Sequence, residues 1–411
     1  EYSTGSMDEL SVLISGAGPS GLRAAIEAAM HGAEVTVVEL RHEFTRRNCL
    51  HLWPFMVEDL RSLHIKHFYP AFCSGAVEHV NIADLQLALL KVALLLGVEV
   101  HCDTAIKRVA LMKGPAGTRI SLTRRIPQVE SRHFDVLLAA DGEHSNVLQL
   151  LKFKKKYFHG GRSIGITCNF VNHKTAQEAG ADEFAIATQY HPRFFGAMKE
   201  KYSIELENLT YYRDSTHYFV MTATKASLLE RGVIMSDRGG DLVAPDNVNE
   251  EELVRFVHHV GRHCDLGFAL ELAERPGGGP DVQIFDYSSK HVVATASKSI
   301  FPNSRSPLLV MPIGDAALAP FWPLGTGANR GTLMALDTCW IMRLLNEQKK
   351  KKAVDHAQLL REHERLFKIC KKTMAENLKD HSQSIHAANA FQASSGTGHF
   401  SVDPSTRYRF A

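Results

Sequence analysis

The chain has little that would serve a membrane, a disulfide scaffold or a nucleic acid. No apolar run approaches the roughly 20 residues of a bilayer span, and the longest candidate, Leu85–Val100, is broken by Gln86, Lys91 and Gly97. The seven cysteines (Cys49, Cys73, Cys102, Cys168, Cys264, Cys339 and Cys370) are odd in number and scattered, without a CxxC pair or zinc spacing. A reducing compartment and no metal site are therefore expected. Net charge is only +2, and no nucleic-acid motif accompanies the basic residues. Internal repeats and extended low-complexity tracts are lacking too. Glu1–Ser6 has neither the basic start nor the apolar middle of a signal peptide, and Gly5-Ser6-Met7 reads as a cloning scar before a native start. Residues 1–6 are set aside from the fold argument.

What is present suits an ordinary globular protein. At 411 residues, 45% hydrophobic and 22% charged, the chain can bury a large core in about two or three structural units. Leu10–Ser15 is a short apolar run ending at Gly16, after which Leu22, Ala25, Ile26, Ala29 and Met30 recur at helical spacing, and Val35–Glu39 is a second buried run. Such a strand–helix–strand unit implies parallel strands covered by helices. A helix pattern from Ile82 closes at Gly97, followed by strands at Val98–His101 and Phe134–Ala140. The alternation then changes: Ser163–Val171, Phe184–Thr188, Leu209–Tyr212 and Tyr218–Thr224 read as strands without long helices between them, a mostly antiparallel sheet. Pro276–Pro280 marks a loop, Leu308–Met311 resumes a buried strand, and a helix is expected from about Asn329 to Leu345, with a charged helical tail over Lys349–Lys379 and a polar loop at Ser394–Gly398.

The chemistry-bearing pattern is Gly16-Ala17-Gly18-Pro19-Ser20-Gly21, a GxGxxG between a strand and a helix, with Glu39 at the end of the next strand, 18 positions after Gly21. Glycines allow the tight turn and the close backbone approach, the helix N-terminus faces a pyrophosphate, and the carboxylate accepts from ribose hydroxyls. Both FAD and NAD(P) use this fingerprint. Two later dipeptides favour FAD: Asp141-Gly142 and Gly314-Asp315 each follow an apolar strand, and Asp315 stands where a carboxylate holds a ribityl hydroxyl. Single-component flavin hydroxylases built like p-hydroxybenzoate hydroxylase carry a DG and a GD motif at these places.

Longer words narrow the resemblance. Glu39-Leu40-Arg41, Arg46-Arg47-Asn48, His51-Leu52-Trp53-Pro54-Phe55, Leu89–Glu99, Tyr211–Ala223, Pro280–Val282, Phe321–Gly327 and Asp403–Tyr408 resemble successive signatures of the MICAL flavin monooxygenase domain, over residues 10–408. The resemblance implies a Rossmann-type FAD-binding domain with an inserted, mostly antiparallel β-sheet monooxygenase domain and a helical C-terminal region, divided as 7–150, 151–295 and 296–411. It implies FAD contacts from Gly16, Gly18, Ser20, Gly21, Glu39, Leu40, Arg41, Arg46, Arg47, Asn48, Ile106, Tyr218, Asp315, Gly325 and Gly327. Trp322 would flank the flavin ring and is expected, with Asn48, to serve the reaction. The Gly325–Gly331 loop, opening a helix, would face the pyrimidine edge, where a helix N-terminus stabilises the negative charge of reduced flavin.

The family uses FAD, NADPH and O2 to oxidise methionines of filamentous actin, disassembling filaments. This implies a cytoplasmic, cytoskeleton-associated enzyme that makes hydrogen peroxide when uncoupled, with F-actin as protein substrate and neither nucleic acid nor membrane as partner. A thioether is a soft acceptor, and its sulfoxide is enzymatically reversible. The cofactor supplies the hard chemistry, so no triad is expected, and His51, His64 and His67 read as ordinary polar residues. Lysines at Lys152–Lys156 with Arg162, and at Lys349–Lys352, could steer an acidic protein surface or simply be solvated. The sequence departs from the family at Ser20, usually cysteine, at Arg47, usually histidine, and at Thr326-Gly327-Ala328-Asn329-Arg330-Gly331, where isoleucine–alanine usually follows the glycine. The family's usual calponin-homology and LIM modules have no counterpart in these residues, which suits an excised domain or a compact relative. Two other readings remain: an NADPH oxidase or flavin hydroxylase with a small-molecule acceptor, and an FAD-binding scaffold without turnover.

Overall fold

A computed structural model describes residues 5–46, 48–65, 73–74, 77–111, 118–159, 163–213, 215–238, 242–275, 277–286, 289–302, 307–320 and 326–371. The chain starts with β1 (Ser11–Ser15), α1 (Pro19–Met30) and β2 (Glu34–Val38). After β3 (Cys49–Leu52), α2 (Pro54–Ser62), β4 (Cys73–Ser74) and β5 (Val77–Asn81) come α3 (Ile82–Leu95), β6 (Glu99–His101), the hairpin β7 (Ile106–Leu111) and β8 (Thr118–Leu122), α4 (Pro127–Glu130), β9 (Val136–Ala139) and α5 (Asn146–Leu150). The middle of the chain supplies β10 (Lys155–His159), β11 (Ser163–Val171), α6 (Ala176–Ala179), β12 (Phe184–Ala187), α7 (Pro192–Tyr202), β13 (Leu206–Arg213), β14 (Thr216–Thr224), α8 (Lys225–Glu230), α9 (Glu250–Cys264) and β15 (Val282–Asp286). The end supplies β16 (Ser289–Val293), β17 (Lys298–Ile300), β18 (Leu308–Pro312), α10 (Thr326–Lys350) and α11 (His356–Lys371).

Strands from both ends of the chain build one six-stranded sheet in the order β17-β18-β9-β1-β2-β6. All its pairings are parallel except β17 on β18 at the edge. Its central strands are apolar on both faces, with Val12, Leu13, Ile14, Val136, Leu137 and Leu138 completely buried, as a parallel sheet covered on both sides demands. β18 pairs with β9 across more than 160 residues of chain (Leu309↔Val136), so the parallel sheet is completed by a strand that follows the whole middle of the chain. Helices α3, α1, α10 and α11 pack on one another in series, with α1 against β1 and β2 and α11 against β17.

The middle forms a separate antiparallel sheet, β12-β13-β14-β11-β15. Its own core holds Phe170, Tyr211 and Phe219 against Phe256 and Val260 of α9. α9 is well specified: Asn249 caps its first turn, three glutamates follow, and Arg262 and His263 close it, the charge order that the helix dipole favours. A two-stranded ribbon, β10 with β16, runs between the two sheets in sequence.

Several expectations are corrected. The antiparallel strands are interrupted by the eleven-residue helix α7 between β12 and β13, and α9, the longest helix of the middle region, was not read from the sequence. β13 begins at Leu206 because a bulge at Leu206/Asn208 keeps it paired with β14 beyond the apolar stretch. α10 starts at Thr326 and runs to Lys350, so Gly327 and Gly331 lie within its first turns and not in a loop. The charged tail is two helices broken at residues 351–355 before α11, and its part beyond Lys371 lies outside the described residues, as do Ser394–Gly398 and Asp403–Tyr408. Residues set aside at the start also pack: Ser6 Oγ lies 2.7 Å from His31 Nδ1, and the Lys350 ammonium donates to the Gly5 carbonyl.

Among the described residues no helix is long and apolar enough to cross a membrane, no group of side chains could hold a metal ion, and Cys102, Cys168, Cys264 and Cys339 are free thiols.

Candidate functional site

Three glycines of the first turn serve three different needs. Gly16 sits at φ +105°, and a Cβ there would lie 2.4 Å from the Ala140 carbonyl oxygen, so the turn passes directly against the end of β9. A Cβ at Gly21 would lie 2.1 Å from the Gly16 carbonyl oxygen and 3.1 Å from the Ala140 methyl, so the first turn of α1 is pressed onto the strand end. Gly18 differs: nothing in the protein lies within 4 Å of a Cβ there, and its backbone (φ −69°, ψ 172°) is open to any residue. Gly18 is also the N-cap, without a capping side chain. The first helical hydrogen bond runs from Leu22 to the Gly18 carbonyl, leaving the N–H groups of Ser20 and Gly21 ahead of it for an anion.

Side chains from two neighbouring elements hold this turn. The Glu39 carboxylate, at the exit of β2, accepts from the Ala17 N–H at 2.7 Å and the Arg41 N–H at 2.9 Å. Gln86 of α3 donates to the Ala17 carbonyl at 3.0 Å from a fully packed position. Leu40 beside the acid is 68% exposed, an apolar side chain turned to solvent. Arg41 and Arg46 are exposed, and the Arg46 guanidinium lies within electrostatic range of Arg41, Asp315 and Glu39.

The second half of the site arrives with β18. Gly314 turns at φ +60°, and Cβ atoms built at Gly314 or Gly331 would fall 2.7 Å or 1.9 Å from Ser20 Oγ. The Ser20 side chain is therefore sandwiched between the Gly314 turn and α10. A cysteine there, with a larger atom, would need those elements to part by a few tenths of an ångström. Asp315 follows, and Gly327 of α10 stands over it: a Cβ built at Gly327 would lie 3.5 Å from Asp315 Oδ1. Burial and the neighbouring Glu143 push the Asp315 carboxyl up to about 6, against the pull of Arg46, Lys290 and His291. α10 has no acidic residue in its first turn, leaving its positive end unneutralised from its own sequence.

Two contacts tie this centre to the rest. Buried Asn48 donates from Nδ2 to the Tyr218 hydroxyl at 3.3 Å, joining the chain after the Arg46 segment to β14 of the antiparallel sheet. Buried Asn329 in α10 accepts from the Trp53 N–H at 2.7 Å, fixing the start of α2 against the start of α10.

Gly16, Gly18, Ser20, Gly21, Glu39, Arg41, Arg46, Asp315 and Gly327 are thus gathered around one helix terminus, with Asn48 and Tyr218 forming a second group. Ile106 lies fully buried in the larger core, its carbonyl held by Asn146. Arg47, Trp322 and Gly325 lie outside the described residues. Asp141 has a different use from Asp315: its carboxylate accepts from Ser145 Oγ at 2.5 Å and the Val147 N–H at 3.1 Å, and so caps α5. Of the lysine clusters, Lys349 pairs with Asp135 at 2.8 Å and Lys350 with Asp8 at 2.7 Å, and Lys155 donates to the Glu143 carbonyl, so these three are partly spent within the chain. Gln86, Asn329 and Lys290 were not read as functional; Gln86 is a polar residue in an apolar stretch and Asn329 one in a glycine-rich stretch, the signal that could have found them, whereas Lys290 sits among serines and a histidine and carries no such signal.

A parallel sheet with a glycine turn under an acid, completed by a late strand and backed by an inserted antiparallel sheet, defines the fold of FAD-dependent monooxygenases. A 2-methyl-3-hydroxypyridine-5-carboxylic acid oxygenase superposes with TM-score 0.60 over 97% of this chain and 98% of its own, at 15% identity. The flavin-dependent halogenase CmlS superposes with TM-score 0.58 at 13% identity over 98% of this chain and 68% of its own. Residues 11–48 match the family described as FAD binding domain, and residues 162–286 the family described as Mical, Rossman domain. Despite its description, the second match falls on the antiparallel sheet and α7–α9, not on the parallel sheet.

The chain belongs to the MICAL flavin monooxygenase domain family. It is 41% identical to the [F-actin]-monooxygenase mical1 of Danio rerio over 96% of this chain and 31% of the relative. It is 39% identical to the [F-actin]-monooxygenase Mical of Drosophila melanogaster over 97% of this chain and 8% of the relative. With [F-actin]-monooxygenase MICAL2 of Homo sapiens it shares 37% identity, over 99% of this chain and 20% of the relative. It thus spans about a third or less of the length of these relatives.

Proposed function

We propose that this chain is an FAD- and NADPH-dependent monooxygenase that oxidises methionine residues of filamentous actin to the sulfoxide and so promotes filament disassembly. The reaction balances as thioether, O2, NADPH and a proton giving sulfoxide, water and NADP+. Bound FAD would supply hydride acceptance from NADPH and activation of O2, chemistry that no side chain supplies.

The residues present fit that cofactor. Gly18 leaves room where a pyrophosphate approaches, and the free N–H groups of α1 answer its charge. Glu39 has lone pairs left for ribose hydroxyls after serving two backbone donors, and Asp315 accepts from the ribityl chain. Exposed Leu40 would contact the cofactor, and Arg41, Arg46 and Arg47 would balance its phosphate charge. The start of α10, with Gly327 in its first turn, would stabilise negative charge on the reduced ring, a role in which Gly325 would share, and Trp322 and Asn48 would serve the reaction beside it. Ser20, Ile106 and Tyr218 act by holding these elements in register. Residues 7–150 and 296–411 form the FAD-binding domain and residues 151–295 the inserted domain. A cytoplasmic, cytoskeleton-associated setting follows from the substrate.

The supporting observation is the junction of the Gly16–Gly21 turn, the Gly314-Asp315 turn and the start of α10 in a chain 41% identical to an F-actin monooxygenase. Fold alone does not choose a chemistry, since a Diels-Alderase, PyrE3, superposes with TM-score 0.57 at 16% identity over 93% of this chain and 73% of its own. The test is NADPH consumption by the flavin-loaded chain with and without filamentous actin, followed by mass spectrometry of the actin. Actin-stimulated turnover with sulfoxide at specific methionines is expected. Turnover indifferent to actin, yielding only hydrogen peroxide, would shift the reading to an NADPH oxidase or a hydroxylase with a small-molecule acceptor.

A further inference from the structure

The segment that leaves the Gly314-Asp315 turn is strapped to β16. The Val293 N–H donates to the Ala317 carbonyl and the Ala319 N–H to the His291 carbonyl, each at 2.9 Å, with Val292 and Leu318 as bridge partners. The next rung is made by a side chain: the Lys290 ammonium donates to the Pro320 carbonyl. Pro320 in turn supports α10, because a Cβ at Gly327 would lie 3.2 Å from the Pro320 side chain and 3.5 Å from Asp315 Oδ1. Lys290 therefore stands at the hinge between the carboxylate turn and the helix terminus.

A lysine is rarely placed as this one is. It is 5% exposed, and burial pulls its ammonium down to about 8, although Glu143, Asp315 and Asp286 favour the charge and Arg330 opposes it. A buried ammonium is costly unless acceptors and acids surround it, and an apolar residue would fill the same space without that cost. What the lysine adds is a directed donor to Pro320 and a positive charge beside Asp315.

We propose that Lys290 is a positioning residue of the flavin pocket, holding the Pro320 carbonyl so that the start of α10 and the Asp315 carboxylate keep their mutual placement, and supplying a cation to that corner. This rests on the flavin reading above. The test uses the purified full chain with Lys290→Met, Lys290→Gln and Lys290→Arg. FAD is titrated into each apoprotein, and the reduction potential of the bound flavin is measured; neither readout depends on turnover.

Lys290→Met is expected to weaken FAD binding about tenfold, the usual order for leaving a buried carbonyl without its charged donor. Lys290→Gln keeps a donor but no charge, and is expected to recover part of the affinity while the flavin becomes harder to reduce than in the wild type. Lys290→Arg keeps donor and charge, and the potential should return to the wild-type value. If Lys290→Met does not fold, the potentials of the other two decide. Equal affinity and equal potential across the wild type and all folded variants would overturn the role of Lys290 and leave the flavin reading standing. A wild-type chain that binds no FAD would overturn the flavin reading itself.

Discussion

Replacing Gly18 and Gly21 separately by alanine should split two roles that the fingerprint merges. At Gly21 the new methyl would sit 2.1 Å from the Gly16 carbonyl oxygen, well over 1 Å inside ordinary contact, and its obstacle is backbone that no rotamer change removes. α1 would have to lift from β1 and β9. Overpacking of this kind costs about 1–3 kcal/mol and more where the obstacle cannot yield, so about 3 kcal/mol is the expected loss, roughly a hundredfold in the folding constant. At Gly18 the methyl meets nothing within 4 Å and the backbone is already in an alanine-compatible region. Stability of the apoprotein should hold, or rise by up to about 1 kcal/mol as the unfolded chain loses freedom. The assays are urea unfolding of both apoproteins and FAD titration of whichever folds. Gly21→Ala should unfold at clearly lower urea with or without FAD. Gly18→Ala should match the wild type in urea yet bind FAD at least tenfold more weakly. Full FAD affinity in Gly18→Ala would refute the placing of the pyrophosphate, and an unshifted midpoint in Gly21→Ala would refute the packing argument.

Asp315 gives a pH test. Its carboxyl is raised from an ordinary 3.8 to about 6, so between these values the folded chain holds a proton that the unfolded chain has lost, and apoprotein stability should fall as pH rises from about 4 to about 6, by up to about 3 kcal/mol. Asp315→Asn should flatten that slope and stabilise the apoprotein at neutral pH while weakening FAD binding; a slope that persists in the variant sinks the assignment. Arg23 is 2% exposed and spans Asp59 in two contacts of 2.7 Å with Glu27 at 2.8 Å, so Arg23→Met should cost about 3 kcal/mol in urea unfolding by stranding two half-enclosed carboxylates. Asn48→Ala, which deprives the Tyr218 hydroxyl of a donor, should lower stability by about 1 kcal/mol but slow NADPH turnover more than tenfold with FAD retained; unchanged turnover would confine Asn48 to packing. Trp322→Ala should likewise retain FAD and slow turnover, and wild-type kinetics would remove it from the reaction.

What the sequence determined by itself was local and periodic. The apolar run of Leu10–Ser15, the glycine spacing and Glu39 defined β1, the turn, α1 and the acid at the exit of β2, because the pattern that marks the unit repeats within about 30 residues. Asp315 was legible from the dipeptide after an apolar strand, and the family from words spread along the chain. Tertiary structure decided why those residues are there. Gly18 and Gly21 look alike in sequence, and only the approach of α1 to Ala140 and Gly16 separates one that packs from one that leaves space. Asp141 and Asp315 likewise both follow buried strands, yet one spends its carboxylate on α5 while the other faces Gly327. The bonds of Asn48 to Tyr218, Trp53 to Asn329 and Lys290 to Pro320 join residues 170, 276 and 30 positions apart, distances over which no hydrophobic period or turn signal carries information. α9 was legible too, since Leu253, Phe256, Val257 and Val260 recur at helical spacing after the Asn249 cap, whereas α7 offers fewer apolar positions, with Phe195 and Met198 its buried residues.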